Sequence, residues 1–565
     1  MQVSKYIIDF FKNKGIKNFY VFQGGVIMNL INEIGSDKSL KYVSPYHEQS
    51  LSMQVDTAAR IDGYAVGLVT SGPGATNILT GVCSAYYDSI PCFFITGQVG
   101  QIHLKKNKSY RQYGFQETDV ESIFKSVTKY CKQIKKPDEI KFELEKAYFL
   151  SKDKRPGPVL LDIPFNIQRA EINQNSIRKF IYPKKNSPTS EIKKVKFLNN
   201  NLFKFKKPLF LIGGGIKNQN QSSRFLSMIK KAKIPFATTW MSQDVVKYSN
   251  SLYLGSIGKN GHRSANFACT EADLIISLGQ RFAVKNIFGK FANKAKIFSI
   301  DIDKQELNTP IRKINLKINL DIKSFFDFLN FTSLKNIKNK DWNNRTSFLK
   351  KNYFDFSILS KKSIANKKSI NPFSFFKIIS DIVSKNSILH VDIGAHQTWF
   401  FQSFLQTGQK IISHCGHGAM GHAVSASIAS CYSKLKSKQN IVFIGDGGLM
   451  MNIQELNYIS SKKLPIKIVV MNNKSLGNTF LGTMKAFNKT FANDEQTGFM
   501  APNVKKLSLG FNIKYFKINE EKFIKNEFKK FKNFKGPAIL NVEISKFQPV
   551  AELHEIKSKK KKLII

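Results

Sequence analysis

The chain is 565 residues long, 42% apolar and 23% charged: long enough for about three to four domains with sizeable cores, and unlike a disordered or fibrous chain. No apolar run approaches the ~20 residues that cross a bilayer, and charge interrupts the N-terminal stretch MQVSKYIIDFFKNKG, which argues against a signal peptide and for a cytoplasmic enzyme without a membrane partner. The 88 Lys+Arg against 40 Asp+Glu leave +48, but the excess is mostly lysine with no arginine cluster, so codon bias accounts for it better than a nucleic-acid partner.

Short apolar strands alternate with helical patterns in three blocks, the signature of parallel α/β sheets. The expected fold class is α/β, with three tandem doubly wound parallel-sheet domains over 1–175, 190–330 and 365–550 and a basic tail at 551–565. In the first block a strand Tyr20–Phe22 precedes Gly24-Gly25. A strand Tyr42–Ser44 leads through Pro45-Tyr46-His47-Glu48-Gln49 into a helix running to Ala59. Strands at Tyr64–Thr70, Pro91–Thr96 and Val159–Ile163 follow, and Tyr182–Thr189 reads as a linker. The second block places strands at Leu209–Ile212, Leu274–Leu278 and Ile297–Asp301, with Gly213-Gly214-Gly215 closing the first. After the Lys/Asn-rich stretch Lys335–Lys340 and a polar helical region, the third block carries strands at Ile388–Asp392, Lys410–Ser413, Ile441–Gly445, Ile466–Met471 and Ala538–Val542. No short-period repeat is visible. The six cysteines have no metal-ligand spacing and read as buried, reduced thiols.

Chemistry concentrates in the third block. Gly445-Asp446-Gly447 follows a strand directly, a helical pattern through Ile453, Leu456 and Ile459 comes next, and a second strand runs straight into Asn472-Asn473. Parallel strands end on one edge of their sheet, so Asp446 and Asn473 converge there. Hard oxygen ligands on such an edge suit Mg²⁺ bound together with a phosphate. A lone Gly-Asp-Gly would be an ordinary tight turn; the whole strand–helix–strand arrangement is far more specific. Gly416-His417-Gly418-Ala419-Met420-Gly421 also matches GxGxxG, which by itself would argue for a dinucleotide fold.

The run GDGGLMMNIQELNYISSKKLPIKIVVMNN resembles the cofactor signature of thiamine-diphosphate (ThDP) enzymes and looks closest to the acetolactate synthase large-subunit family. The resemblance extends over roughly Met1–Pro549. It implies a pyrimidine-binding, a central Rossmann-like and a diphosphate-binding domain, in that order. Asp446 and Asn473 would ligate Mg²⁺ through side-chain oxygens and Ser475 through its carbonyl, with Gly445, Gly447 and Gly448 among the cofactor-binding residues. In Asp392-Ile393-Gly394-Ala395-His396-Gln397, the family's Gly, His and Gln contact the diphosphate, which points to Gly394, His396 and Gln397. In the GxGxxG segment the resemblance makes Gly418 a cofactor contact and Met420 a wedge that bends the cofactor. Glu48 matches the carboxylate set against N1′ of the aminopyrimidine, Gly24 and Gly25 allow close backbone approach, and Phe115 and Gln116 face the substrate. The family builds its site between subunits, so the resemblance implies a homodimer or homotetramer in which Glu48 and Asp446 meet only across the interface. The donor implied is a 2-oxo acid, pyruvate foremost, and the second substrate a carbonyl acceptor.

Some positions depart from the family pattern. Asn478 and Thr479 stand where the family carries Met and Val, Gly482 where it carries Trp, and Phe165 where it carries Lys. The changes suggest an acceptor larger or more polar than pyruvate, such as a keto sugar carried on a nucleotide; the alternative is an ordinary acetolactate synthase joining two pyruvates. In the central block Arg281 and Asp301 match flavin-site stretches, yet Ala283-Val284 replace the family's Asp pair. FAD and an empty structural domain therefore both stay open.

Overall fold

In a computed structural model, residues 1–551 are described except 108, 174–176, 185–187, 288, 309–311, 336–338, 357–368 and 436–438. All of the expected basic tail but Ala551 lies outside the described residues, as do parts of both Lys/Asn-rich stretches.

Three six-stranded parallel sheets follow one another along the chain. The first contains β1 (Asn18–Val21), β2 (Lys41–Val43), β3 (Val66–Val69), β4 (Phe93–Gln98), β5 (Tyr130–Gln133) and β6 (Val159–Pro164), in the order β2-β1-β3-β4-β6-β5. The second contains β7 (Pro208–Ile212), β8 (Phe236–Thr238), β9 (Tyr253–Ser256), β10 (Leu274–Leu278), β11 (Lys296–Ile300) and β12 (Leu316–Ile318), in the order β12-β11-β10-β7-β8-β9. Read from its far edge, that is the strand order of dinucleotide-binding folds. The third contains β13 (Ile388–Val391), β14 (Lys410–Ser413), β15 (Asn440–Gly445), β16 (Ile466–Asn472), β17 (Lys514–Ile518) and β18 (Ala538–Glu543), in the order β14-β13-β15-β16-β18-β17. The first and third sheets thus repeat one topology that the sequences of their strands do not reveal.

The central strands are buried along their whole length: Phe93–Gln98, Val159–Pro164, Leu274–Leu278 and Ile466–Asn472 have no exposed position. Helices cover both faces of a parallel sheet, so its strands read as apolar runs rather than alternations. This is why the expected strands were legible. The strands that the sequence reading passed over are β5, β8, β9, β12 and β17. Four of these are edge strands, and YCKQ, LKI and KYFKI carry lysines toward water. The single helix expected after Asp446 is two, Asp446–Met451 and Glu455–Ser461, broken at Asn452–Gln454.

One apolar core runs through the first and third domains. It joins Tyr20, Leu51, Val55 and Phe94 of the first to Val424, Ile428, Val442 and Ile459 of the third. Its centre is the packing of helix Glu48–Asp62 on helix His422–Tyr432. These helices occupy equivalent places, each following the second strand of its sheet. Gly63, at φ +87, ends the first of them in the left-handed conformation that glycine adopts without strain. Each fully buried Leu, Ile, Val or Phe in such a core contributes about 1.5–3 kcal/mol relative to exposure. Of the cysteines, Cys83, Cys92 and Cys269 are buried as expected, whereas Cys415 is exposed; all six are free. Among the described residues, no helix is long and apolar enough to cross a membrane.

Candidate active site

The chain order of the third sheet reverses between β13 and β15, and ligands of open α/β sheets bind at such switch points, outside the carboxyl ends of the strands. Three segments leave that edge together: Asp392–His396 after β13, Gly445–Gly448 at the end of β15, and Asn473–Ser475 after β16.

Asp446 is 1% exposed. Its Oδ1 accepts from the Gly447 amide at 3.1 Å, and its Oδ2 is buried without a partner. Burial pushes the carboxyl up to about 7, while backbone amides including those of Gly447, Lys474 and Ser475 pull the other way. The 473–475 turn is therefore against Asp446. Lys474 takes a left-handed φ of +53°, uncommon for a residue with a side chain. The two asparagines divide their work. Asn472 Nδ2 donates to Asn541 Oδ1 and its Oδ1 accepts from the Lys474 amide, so it holds the turn. Asn473 lies under the start of helix Gly477–Phe487, where a Cβ on Gly477 would come within 2.7 Å of its Nδ2. Ser475 is buried, with its Oγ unpartnered. A buried carboxylate with an orphaned oxygen, an amide and a serine turn make an oxygen-rich set that fits Mg²⁺.

The diphosphate candidates gather beside it. His396 is driven down to about 3 by burial and is neutral, with a buried, unpartnered Nε2. Its ring fills the space over Gly394 and Gly445, where added Cβ atoms would lie 2.7 and 3.4 Å from it. Gln397 Nε2 donates to Ser413 Oγ at 2.8 Å. Asp392, pushed up to about 7 by burial, accepts from the Gly421 and Ala423 amides at 2.8 and 3.1 Å and so ties the Gly418–Met420 loop to β13. A Cβ on Gly448 would strike Asp392 Oδ2 at 2.5 Å, whereas around Gly447 the contacts are Leu476 and Phe499. Gly418 has φ +76, and Met420 is half-buried.

In the first domain Glu48 opens helix Glu48–Asp62, capped by His47, whose Nδ1 accepts from the Gln49 amide. Glu48 is 8% exposed and its Oε2 accepts from Asn77 Nδ2 at 3.0 Å. Gly74 faces Oε1, and a Cβ on Gly24 would lie 2.4 Å from Thr70 Cβ; Gly25 has open space. Thr70 Oγ1 and Ser71 Oγ are buried without partners beside this carboxylate. Gln116, at φ +63, packs against Gly72 of the same loop, whereas Phe115 is 85% exposed. The structure thus gathers Glu48, Gly24 and Gln116 at one site and Asp446, Asn473, Ser475, His396 and Gly394 at another. Among the described residues no hydrogen bond or ion pair joins Glu48 to Asp446.

Sequence reasoning did not weigh Asn77, Asp392 or Glu455. Glu455 is fully buried, its Oε1 accepts from the Tyr46 amide at 2.9 Å, and burial pushes it up to about 7. It links the third domain to the segment that leads into Glu48. Both Asp392 and Glu455 lie inside quoted motifs, but their burial is a property of the packed sheet.

In the central domain the switch point lies between β7 and β10. Gly213–Gly215 closes on Gly279, with the Gly215 amide donating to the Gly279 carbonyl at 3.1 Å. Gln280 is 3% exposed with both amide atoms unpartnered. Arg281 Nη1 donates to the Tyr87 carbonyl at 3.3 Å, and Asp301, raised to about 6 by burial, accepts from the Asp303 amide. The Gln280 amide is thus left orphaned at the crevice of this switch point, where open α/β sheets take their ligands.

Three family models match the chain: the thiamine pyrophosphate enzyme N-terminal TPP binding domain over 1–123, the central domain over 196–329, and the C-terminal TPP binding domain over 392–542. The acetolactate synthase large subunit of Lactococcus lactis subsp. lactis is 30% identical over 557 residues, 97% of this chain and 93% of that protein. The probable acetolactate synthase large subunit of Methanocaldococcus jannaschii is 32% identical over 499 residues, 85% of this chain and 81% of that protein. The acetolactate synthase isozyme 1 large subunit of Escherichia coli K12 is 28% identical over 554 residues, covering 96% and 93%.

Proposed function

The chain belongs to the acetolactate synthase large-subunit family of thiamine pyrophosphate-dependent carboligases and decarboxylases, and within that family we propose that it decarboxylates pyruvate and passes the two-carbon unit to an acceptor larger or more polar than pyruvate. When bound, ThDP supplies the electron sink through which a 2-oxo acid loses its carboxyl group and its acyl unit joins a carbonyl carbon. Asp446, Asn473 and the Ser475 carbonyl would hold Mg²⁺ on the diphosphate. Gly394, His396 and Gln397, with Gly418, Gly445, Gly447 and Gly448, would line the diphosphate. Glu48 would exchange a proton with the aminopyrimidine ring, and Asn77 keeps the Glu48 carboxylate in place. Met420 would support the cofactor, Gly24 and Gly25 would admit it closely, and Phe115 and Gln116 would face the substrates.

Two separate half-sites support a dimer, with Glu48 of one subunit serving the diphosphate site of another. The exposed Phe115, Tyr113 and Ile102 beside Gln116 are the apolar surface that such an interface covers. FAD in the central domain, with Arg281 and Asp301 as contacts, is proposed on the orphaned Gln280 amide. Flavin absorbance released on denaturing the purified protein tests it.

The observation that carries the choice of acceptor is the open face of helix Gly477–Phe487. Asn478, Thr479 and Gly482 are exposed there, and a side chain at Gly482 would meet no atom within 4 Å. An acceptor larger or more polar than pyruvate, such as a nucleotide-linked keto sugar, would meet polar side chains and free space on that face. The test incubates protein, Mg²⁺, ThDP and pyruvate and follows CO₂ and product by mass spectrometry. Turnover that stays low until a keto sugar or aldehyde is added is the expected result. Acetolactate formed at full rate from pyruvate alone would establish the ordinary synthase reaction, which the names of the relatives favour.

A further inference from the structure

The loop 415–421 carries Met420 between β14 and helix His422–Tyr432; His414 and Gly416 at its start are tied to acidic side chains of the first domain, and His422 at its end packs beside one of them. His414 Nε2 lies 2.7 Å from Asp56 Oδ2 and His422 Nε2 3.4 Å from the same oxygen. The two imidazoles stack with centroids 3.1 Å apart. Asp56 is fully buried on the helix that begins at Glu48, and Arg60 grips both its oxygens, at 2.9 and 3.1 Å. The same guanidinium reaches Asp88 Oδ2 at 2.8 Å. Asp88 Oδ1 in turn accepts from the Gly416 amide at 2.9 Å, and His417 stacks on Tyr87. Burial lowers the pKa of both imidazoles, which keeps them neutral. One arginine therefore bridges two carboxylates, one holding His414, on which His422 stacks, and the other holding Gly416, with Met420 in the same loop.

We propose that Arg60, Asp56, Asp88, His414 and His422 are positioning residues that clamp the Met420 loop and so fix the support under the cofactor. The proposal rests on the reading of Met420 given above. Asp56, His414 and His422 also have ligand atoms within 4.8 Å of one another, the spacing of a metal site. Arg60 already occupies both oxygens of Asp56 and the stacked rings fill the space between the histidines, which favours the clamp.

The test uses the full-length enzyme with ThDP and Mg²⁺, comparing His414→Leu, His414→Gln and Arg60→Lys with wild type. Lysine keeps the charge but cannot span two carboxylates. His414→Leu and Arg60→Lys are expected to lower kcat about tenfold, the scale of one hydrogen bond to a charged group. They should also weaken the near-UV circular dichroism of the bound aminopyrimidine while leaving the Kd for ThDP within about threefold. His414→Gln, which still donates to Asp56, should restore kcat. Folded variants with a lower melting temperature but wild-type kcat and dichroism would show a merely structural role and overturn the clamp. A crystal structure of the wild-type holoenzyme decides the matter if the variants do not fold: an intact Gly416–Asp88 bond supports the clamp, and a broken bond or a zinc ion on the histidines overturns it. Met420→Ala separates the two readings. If it is impaired while the clamp variants are not, the clamp alone fails; if it matches wild type, the reading of Met420 fails.

Discussion

Replacing Gly482 with tryptophan should move the enzyme toward pyruvate as acceptor. Gly482 lies inside the 11-residue helix Gly477–Phe487, and a Cβ there has no neighbour within 4 Å, so the indole enters open space without overpacking. An interior helical glycine costs about 1 kcal/mol relative to alanine, and tryptophan recovers about half of that, so the variant should be no less stable than wild type. An indole that takes ~100 Å² of the space used by a bulky acceptor forfeits about 2.5 kcal/mol of contact at ~25 cal/mol/Å². That is roughly 70-fold in the ratio of kcat/KM for the bulky acceptor over pyruvate. The assay measures both kcat/KM values on wild type and Gly482→Trp at one ThDP concentration. A ratio that changes less than about threefold, in a variant with an unchanged melting temperature, would refute the idea that this helix face lines the acceptor pocket.

Glu48→Gln should abolish turnover while ThDP still binds, because Asn77 can still meet the amide oxygen; titration calorimetry and CO₂ release check the two halves. Asp446→Ala should raise the Mg²⁺ concentration required for half activity at least tenfold, since an Mg²⁺ site has few protein oxygens to lose; EDTA should silence the wild type reversibly. Glu455→Gln should change the pH dependence of stability. Burial raises its pKa from the ordinary 4.5 to about 7, so the wild type is favoured below pH 4.5 and loses stability as pH rises toward 7, by about 3 kcal/mol. The melting temperature of the glutamine variant relative to wild type should therefore rise between pH 4.5 and 8, and a constant difference would contradict the buried, uncharged Glu455.

Much of the site was legible because cofactor motifs of this kind are contiguous. A strand, a glycine turn with one acid, a helix, a strand and an asparagine pair are neighbours in sequence, and parallel pairing of β15 with β16 brings their ends together without help from distant residues. The HEQ segment was legible for the same reason, since a strand end and a helix start fix Glu48 locally. The strands buried on both faces announced themselves as apolar runs, whereas lysines on the edge strands β5, β12 and β17 hid them.

The tertiary structure alone decided what depends on meetings between distant segments. Asp56 and His414 are 358 positions apart, and Tyr46 and Glu455 are 409, so no local pattern could pair them. The common strand order of the first and third sheets belongs to the connections, which leave no mark on composition. Burial, too, arises only when the helices close over the sheets, and it is burial that makes His396 neutral and raises Asp446, Asp392 and Glu455 to about 7. Residue chemistry and family were readable from the order of side chains along the chain. Packing determined which of those residues are desolvated, which carboxylates meet which partners, and how the loop that carries Met420 is held, because desolvation and long-range pairing are properties of the assembled layers.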